Sequence, residues 1–228
     1  MPSVKTKPVT IAVSDTIRVS GLLLTPSRAR ACYVVAHGAG AGMTHPFMAA
    51  VAAELGERGI ATLRYQFPYM EQGGKRPDPP RLAHSAVRAA VAEATRLLPR
   101  TPLIAGGKSF GGRMTSQAQA GEPLAGVHGL AFLGFPLHPP GKPGIERADH
   151  LVDVRIPMLF LQGTRDEFAD LTLLKPLAKR LGKRATLHLI DDANHSFKVP
   201  AKTGRKDAEV RAELADTIAG WTAQVIDS

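Results

Sequence analysis

Leu103-Ile-Ala-Gly-Gly-Lys-Ser-Phe-Gly-Gly-Arg-Met114 is an apolar run that ends in two glycines, a lysine, a serine and two more glycines. The residues that follow, to Ala120, are small or polar and compatible with a helix. The pattern is strand, sharp turn, helix, and the turn reads G-x-S-x-G from Gly107 to Gly111. Such a corner holds its central residue in a strained backbone conformation and lifts the side chain clear of the sheet. Strand and helix backbones nearly touch there, so the flanking positions must be small, and Gly106, Gly107, Gly111 and Gly112 meet that demand. The Ser109 hydroxyl then stands at a helix N-terminus, where backbone N–H groups face incoming negative charge. Ser109 is therefore the candidate nucleophile. The fragment Gly107-Lys108-Ser109 also fits the end of a phosphate-binding loop, but G-x-x-x-x-G-K-[ST] needs a glycine where Pro102 stands.

Outward from this corner, the chain reads as alternating strands and helices. Val9 to Val13 and Ile17 to Leu24 are β-branched runs joined by a turn, and Ala31 to Ala36 is a continuous apolar run of the kind buried on both faces. Pro46 opens a helix with Thr44 as its candidate cap, and Phe47, Val51 and Leu55 give it one apolar face. Ile60 to Tyr65 is the next strand, followed by a long Pro- and Gly-rich loop, Gln66 to Pro80. Leu82 to Leu98 carries a strong helical periodicity. Beyond the Ser109 corner come a strand at Val127 to Phe135, a Pro-rich loop from Pro136 to Gly144, and strands at Pro157 to Gln162 and Ala185 to Ile190. A helix over Leu171 to Leu181 separates those two, and Val210, Leu214, Ile218, Trp221 and Val225 mark a closing helix. The pattern predicts an α/β fold, one doubly wound, mostly parallel sheet with helices on both faces, in a single domain over residues 1–228. In such sheets functional groups gather beyond the carboxyl ends of the strands.

A lone serine is a poor nucleophile and needs a base, which in turn needs an orienting acid. In this architecture they follow in the order serine, acid, histidine. Asp166 lies just past the strand that ends at Gln162, and His195 just past the strand that ends at Ile190. Asp170, four residues after Asp166, has a sufficient explanation as a helix N-terminal residue. Asp191 and Asp192 precede His195 too closely in a turn to orient it. His188 lies inside a strand, and His84, His128 and His150 have no expected partner. The loop His37-Gly38-Ala39-Gly40 leaves the strand at Ala36, so its Ala39 N–H, with Gly40 as the alternative, joins the Phe110 N–H as an oxyanion donor. His37 is expected to brace that loop.

Composition narrows the remaining classes. With 44% hydrophobic residues among 228 the chain folds around a large core. One cysteine, Cys32, leaves no disulfide framework and reads as a buried apolar residue. The charge of +9 is spread through every segment and aromatics are 5%, so no specific nucleic-acid site is expected. The first residues lack a secretory apolar core and no run reaches membrane-spanning length, so the expectation is a cytoplasmic protein acting on a small acyl substrate. Neither cofactor nor metal is expected, and the oligomeric state is left open.

The elbow Gly-Gly-Lys-Ser-Phe-Gly-Gly-Arg-Met, the His-Gly-Ala-Gly loop, Gly-Thr-Arg-Asp and Asn-His-Ser-Phe resemble the α/β-hydrolase superfamily over nearly the whole chain. They are most similar to a small, lid-poor branch related to dienelactone hydrolases, which includes the testis-expressed hydrolase-like proteins of animals. Dienelactone hydrolases carry cysteine as nucleophile; Ser109 departs from that, and their lactone is not carried over. The resemblance implies a serine hydrolase with Ser109, His195 and Asp166 as triad. It leaves two other readings: a non-catalytic scaffold on the same fold, or acyl transfer to an alcohol or amine. The short span between the strands at Val127 and Pro157 predicts no cap, and an open site walled by Gln66 to Pro80 and Pro136 to Gly144.

Overall fold

A computed structural model describes residues 5–227; residues 1–4, on which part of the leader reading rests, and Ser228 lie outside it. Eight strands form one sheet: β1 (Lys5–Ala12), β2 (Arg18–Thr25), β3 (Ala31–Ala36), β4 (Ile60–Tyr65), β5 (Leu103–Lys108), β6 (Val127–Leu133), β7 (Met158–Gly163) and β8 (Ala185–Ile190). Their spatial order is β1-β2-β4-β3-β5-β6-β7-β8. β1 and β2 pair antiparallel, as do β2 and β4; every later pairing is parallel.

The two-residue period of β3 sorts the core into two layers. Cys32, Val34 and Ala36 face one cluster, which takes in α3 (Pro80–Leu97), α4 (Phe110–Gly121) and α5 (Leu171–Leu181). Ala31, Tyr33 and Val35 face the other, built with α1 (Pro46–Glu57) and α6 (Asp207–Ile226). All six residues of β3 are buried, as a strand covered on both faces requires. Cys32 is one of them, and burial pushes its thiol up to about 12, so it packs as an apolar residue.

Two local readings are corrected and the expected lack of a cap is met. His45, not Thr44, caps α1: its ring nitrogen accepts from the Phe47 N–H at 3.2 Å, and Pro46 follows at the first helical position. The loop from Gln66 carries a short helix, α2 (Pro68–Glu71), pinned because Ser20 donates to the Glu71 carboxylate from its N–H at 2.9 Å and its hydroxyl at 2.8 Å. Between β6 and β7 the chain adds only a 3-10 segment, Glu146–Asp153, and no helical cap. Among the described residues no helix is long and apolar enough to cross a membrane.

Candidate active site

Ser109 sits between β5 and α4 at φ +50° and ψ −115°, a conformation that costs a non-glycine residue energy. The neighbouring glycines make the corner sterically accessible. A Cβ on Gly111 would stand 2.5 Å from the His37 carbonyl oxygen, and one on Gly107 would stand 2.3 Å from that of Ala36. Arg113 N–H closes the first turn of α4 onto the Ser109 carbonyl at 3.1 Å, which leaves the serine side chain clear of the helix.

The Ser109 hydroxyl lies 2.9 Å from Nε2 of His195, and Nδ1 of His195 lies 2.7 Å from Oδ2 of Asp166. The structure thus brings together the three residues singled out at three different strand ends. Asp166 is almost wholly buried, with 1% of its side chain exposed. Its Oδ1 accepts from the Phe168 N–H at 2.8 Å, and its Oδ2 accepts from Gln162 Nε2 as well as facing His195. A carboxylate held by three donors has one orientation. Asp170 instead caps α5, accepting from Thr172 N–H at 2.8 Å and Thr172 Oγ1 at 2.7 Å. Asp191 and Asp192 are exposed turn residues.

The loops bearing the acid and the histidine are stitched to each other. Thr164 N–H donates to the Ile190 carbonyl at 3.0 Å, Arg165 N–H to the Ala193 carbonyl at 2.9 Å, and Asp192 N–H to Thr164 Oγ1 at 2.8 Å. Asn194 Oδ1 accepts from Ser196 N–H at 2.9 Å and Lys198 N–H at 3.1 Å, which fixes the turn around His195.

The loop after β3 is braced by His37. Its Nε2 accepts from the Phe67 N–H at 3.0 Å, so Nδ1 carries the proton and donates to the Gly38 carbonyl at 2.8 Å. Burial lowers the pKa of this ring and keeps it neutral, against a smaller opposing effect of the Gly38 bond. The Gly38–Ala39 peptide is planar, so a carbonyl turned toward His37 turns the Ala39 N–H the opposite way. Ala39 lines the cavity at Ser109. Gly40 does not. Phe110 N–H belongs to the first, unpaired turn of α4.

The cavity over Ser109 has a volume of about 840 Å³. Its walls are not the two loops expected. They come from the start of α1 (His45, Phe47), the turn after β8 (Phe197, Lys198) and the start of α6 (Asp207, Arg211). The Gln66 and Pro136 loops are drawn off by their own bonds: Gln66 Oε1 accepts from Met43 N–H at 2.8 Å, and His138 Nε2 accepts from Asp170 N–H at 3.0 Å.

A family model described as an alpha/beta hydrolase domain matches residues 29–223. The chain belongs to this family. Among solved structures it is similar to a dienelactone hydrolase from Anabaena variabilis, at 21% identity and TM-score 0.76 over 97% of this chain and 98% of that one. It is also similar to a Xanthomonas campestris a/b serine hydrolase described as without lid, at 20% and 0.72 over 95% of each chain. A third is Est1E from Butyrivibrio proteoclasticus, at 18% and 0.73 over 97% and 99%. At these identities the likeness is one of fold, and it matches the absence of an inserted cap in this alpha/beta hydrolase.

Sequence reasoning missed Gln162 and Phe168. Gln162 is buried, and besides holding Asp166 its Oε1 accepts from Phe135 N–H at 2.9 Å; the signal was a polar residue ending an otherwise apolar strand. Phe168 lays its ring 4.2 Å from that of His195, which only the three-dimensional path of the loop reveals. His150, expected to lack a partner, meets Ser116 Oγ at 2.8 Å. This second pair differs from the first. The Ser116 hydroxyl donates to the Arg113 carbonyl at 2.9 Å, so it must accept from His150, and the residue is fully buried on a regular helix. Among the described residues no three His, Cys, Asp or Glu side chains converge as metal ligands.

Proposed function

We propose that the protein is a serine hydrolase that cleaves esters or thioesters, with amides the harder case, through an acyl-enzyme. The observation that carries this reading is the Ser109–His195–Asp166 chain at 2.9 and 2.7 Å, with its serine at φ +50°. Ser109 Oγ attacks the carbonyl carbon while His195 Nε2 takes the hydroxyl proton. Asp166 holds the imidazole tautomer and stabilises its charged form. The negative oxygen of the tetrahedral intermediate is held by the N–H groups of Phe110 and Ala39; one such donor is worth about 10²–10³ in rate. His195 then protonates the leaving alcohol or thiol as the bond to it breaks. Water, deprotonated by His195, attacks the acyl-serine, and the carboxylic acid departs with Ser109 restored.

The cavity wall supports short acyl groups with a polar or anionic end. Phe47 and Phe197 stack at 5.7 Å to form an apolar side, whereas Lys198 and Arg211 stand on the wall with Asp207 as the acid among them. Among the described residues neither cation has a carboxylate partner within ion-pair distance.

The test is labelling by a fluorophosphonate probe, followed by p-nitrophenyl and thioester substrates of graded chain length. Labelling that Ser109→Ala abolishes, with turnover of short esters, is expected. A folded wild-type protein that stays unlabelled would instead be a binding protein on this fold, and products appearing on an added alcohol in place of water would make it an acyltransferase.

A further inference from the structure

Lys108 is the last residue of β5 and immediately precedes Ser109. It lines the cavity, yet its Nζ is buried and has no hydrogen-bond partner among the described residues. The centroid of the Phe197 ring lies 5.6 Å away. What borders the nitrogen is revealed by the notch at Gly134, which follows β6 at φ +71°. A Cβ added there would stand 3.1 Å from Lys108 Nζ, 3.4 Å from Asp166 Oδ2 and 3.4 Å from His195 Nδ1. Amine, carboxylate and imidazole therefore share one small space beneath the Ser109 corner. Burying an amine without a partner costs stability, and a neutral chain of similar length would fill the same volume more cheaply. Such a cost placed beside the site's only buried histidine–carboxylate contact needs a return.

We propose that Lys108 is a positioning residue of the Ser109–His195–Asp166 chain, its charge acting across the Gly134 notch on the Asp166 carboxylate that His195 contacts and thereby setting the pH at which His195 is free to take the serine proton. While Lys108 is protonated, a proton on His195 would place two cations around one carboxylate, so Nε2 stays an acceptor to lower pH. Burial holds the Lys108 amine down to about 7, with the Asp166 carboxylate pulling the other way. The amine thus loses its proton near neutrality, the imidazolium then becomes easier to form, and His195 becomes the stronger base. The groups that face Lys108 are Asp166, from the loop after β7, and His195, from the loop after β8. His45 at the cap of α1, Lys198 after β8 and Asp207 on α6 are exposed on the cavity wall, where water screens them, and Arg211 on α6 stands half-buried on the same wall. His195 and Lys108 consequently titrate as a coupled pair around one acid. The kinetic consequence rests on the proposed serine hydrolysis; the titration itself does not.

The experiment is a pH titration of the histidine ring nitrogens by NMR in wild type and Lys108→Met, with His195 assigned by its loss in His195→Gln. The His195 midpoint should move to higher pH by about one unit in Lys108→Met, the size expected for removing one nearby charge. Wild type should also show a second, smaller inflection on the His195 signals that Lys108→Met lacks. The variant should have a higher urea midpoint at pH 7, because a buried, unpartnered amine has been removed. Coincident His195 titrations in the two proteins would overturn the proposal. If the variant does not fold, a single-step His195 titration in wild type would overturn it just as well. Shifted titrations in a protein that cleaves no ester would leave this inference standing and remove the hydrolase reading.

Discussion

Replacing Asp166 by Asn separates the roles of two carboxylates four residues apart. Asp166 presents two acceptor atoms to three donors: Oδ1 to the Phe168 N–H at 2.8 Å, and Oδ2 to Gln162 Nε2 and His195 Nδ1. An amide has one acceptor oxygen. If that oxygen takes the Oδ1 place, its NH₂ group confronts both Gln162 and His195, and the imidazole must move its proton to Nε2, where it cannot receive one from Ser109. If the oxygen takes the Oδ2 place, NH₂ confronts the Phe168 N–H, a buried donor–donor contact costing roughly 1–3 kcal/mol. The first arrangement still leaves NH₂ against the Gln162 amide, so each has one buried donor–donor contact. The first also imposes the wrong tautomer on His195, and in both the imidazolium loses its counter-charge. Loss of the acid in this way costs on the order of 10⁴ in kcat where the same triad has been dissected. Asp170→Asn keeps the side-chain oxygen that caps Thr172 and should alter turnover and stability little. The assay is kcat on a short p-nitrophenyl ester, with urea denaturation to verify folding. Near-normal turnover in a folded Asp166→Asn protein would refute the assignment, and collapse in Asp170→Asn alone would reverse it.

Gly111→Ala should abolish probe labelling and most of the folded yield, because its Cβ would meet the His37 carbonyl at 2.5 Å and Ala36 at 2.7 Å. Gly121→Ala, with nothing within 4 Å, is the matched control, and equal behaviour of the two would be incompatible with a backbone contact at the elbow. Burial, aided by Arg113 and His84, lowers His150 to about 4, against about 6.5 for a free ring. The unfolded chain therefore binds the extra proton between those values, so stability is full above about pH 6.5 and falls as pH drops toward 4, by on the order of 2 kcal/mol given partial exposure. Urea midpoints at pH 7 and 5 should differ less in His150→Gln than in wild type, and identical pH slopes would contradict this. Arg211→Gln should lower kcat/KM for a p-nitrophenyl hemisuccinate about tenfold relative to the neutral butyrate ester, the ratio that one charged contact of about 1.4 kcal/mol supplies; an unchanged ratio would remove Arg211 from substrate binding.

Where the sequence was legible, local rules agreed with the fold. The six apolar residues Ala31 to Ala36 form the strand they suggest, and their alternation divides the two core layers. Leu171 to Leu181 is a helix at the bounds its pattern indicated. Motif spacing singled out Ser109, Asp166 and His195, which lie together because each follows a strand and a parallel sheet brings strand ends together. What stayed hidden depends on where side chains go once helices are docked. Thr44 and His45 both suit a cap, and the path of the chain into α1 chooses between them. A Pro- and Gly-rich loop looks like a cavity wall until Gln66 and His138 bond elsewhere. His150 finds Ser116 only because the 3-10 segment between β6 and β7 packs on α4.

Lys108 is the extreme case, since nothing in Gly-Lys-Ser distinguishes a solvated lysine from one sealed under the serine. Its burial nevertheless belongs to a pattern. All three non-glycine residues with positive φ, among those described, are Ser109, Asp192 and Phe197: one at the elbow and two flanking His195. The buried amine without a partner lies between them. Positive-φ strain outside glycine is thus confined to the carboxyl ends of β5 and β8, while elsewhere the helices break local rules at Pro176 inside α5. Chains tend to break local rules where a fixed geometry is required for something other than folding. Strain at the backbone of Ser109 and Phe197 fixes where the serine and the histidine loop point; the buried Lys108 amine, without a hydrogen bond but near the Asp166 carboxylate, bears in the proposal on which of them holds the proton. Removing the charge should stabilise the fold while moving the His195 titration, whereas adding a Cβ at Gly107 or Gly111 should lose the corner itself.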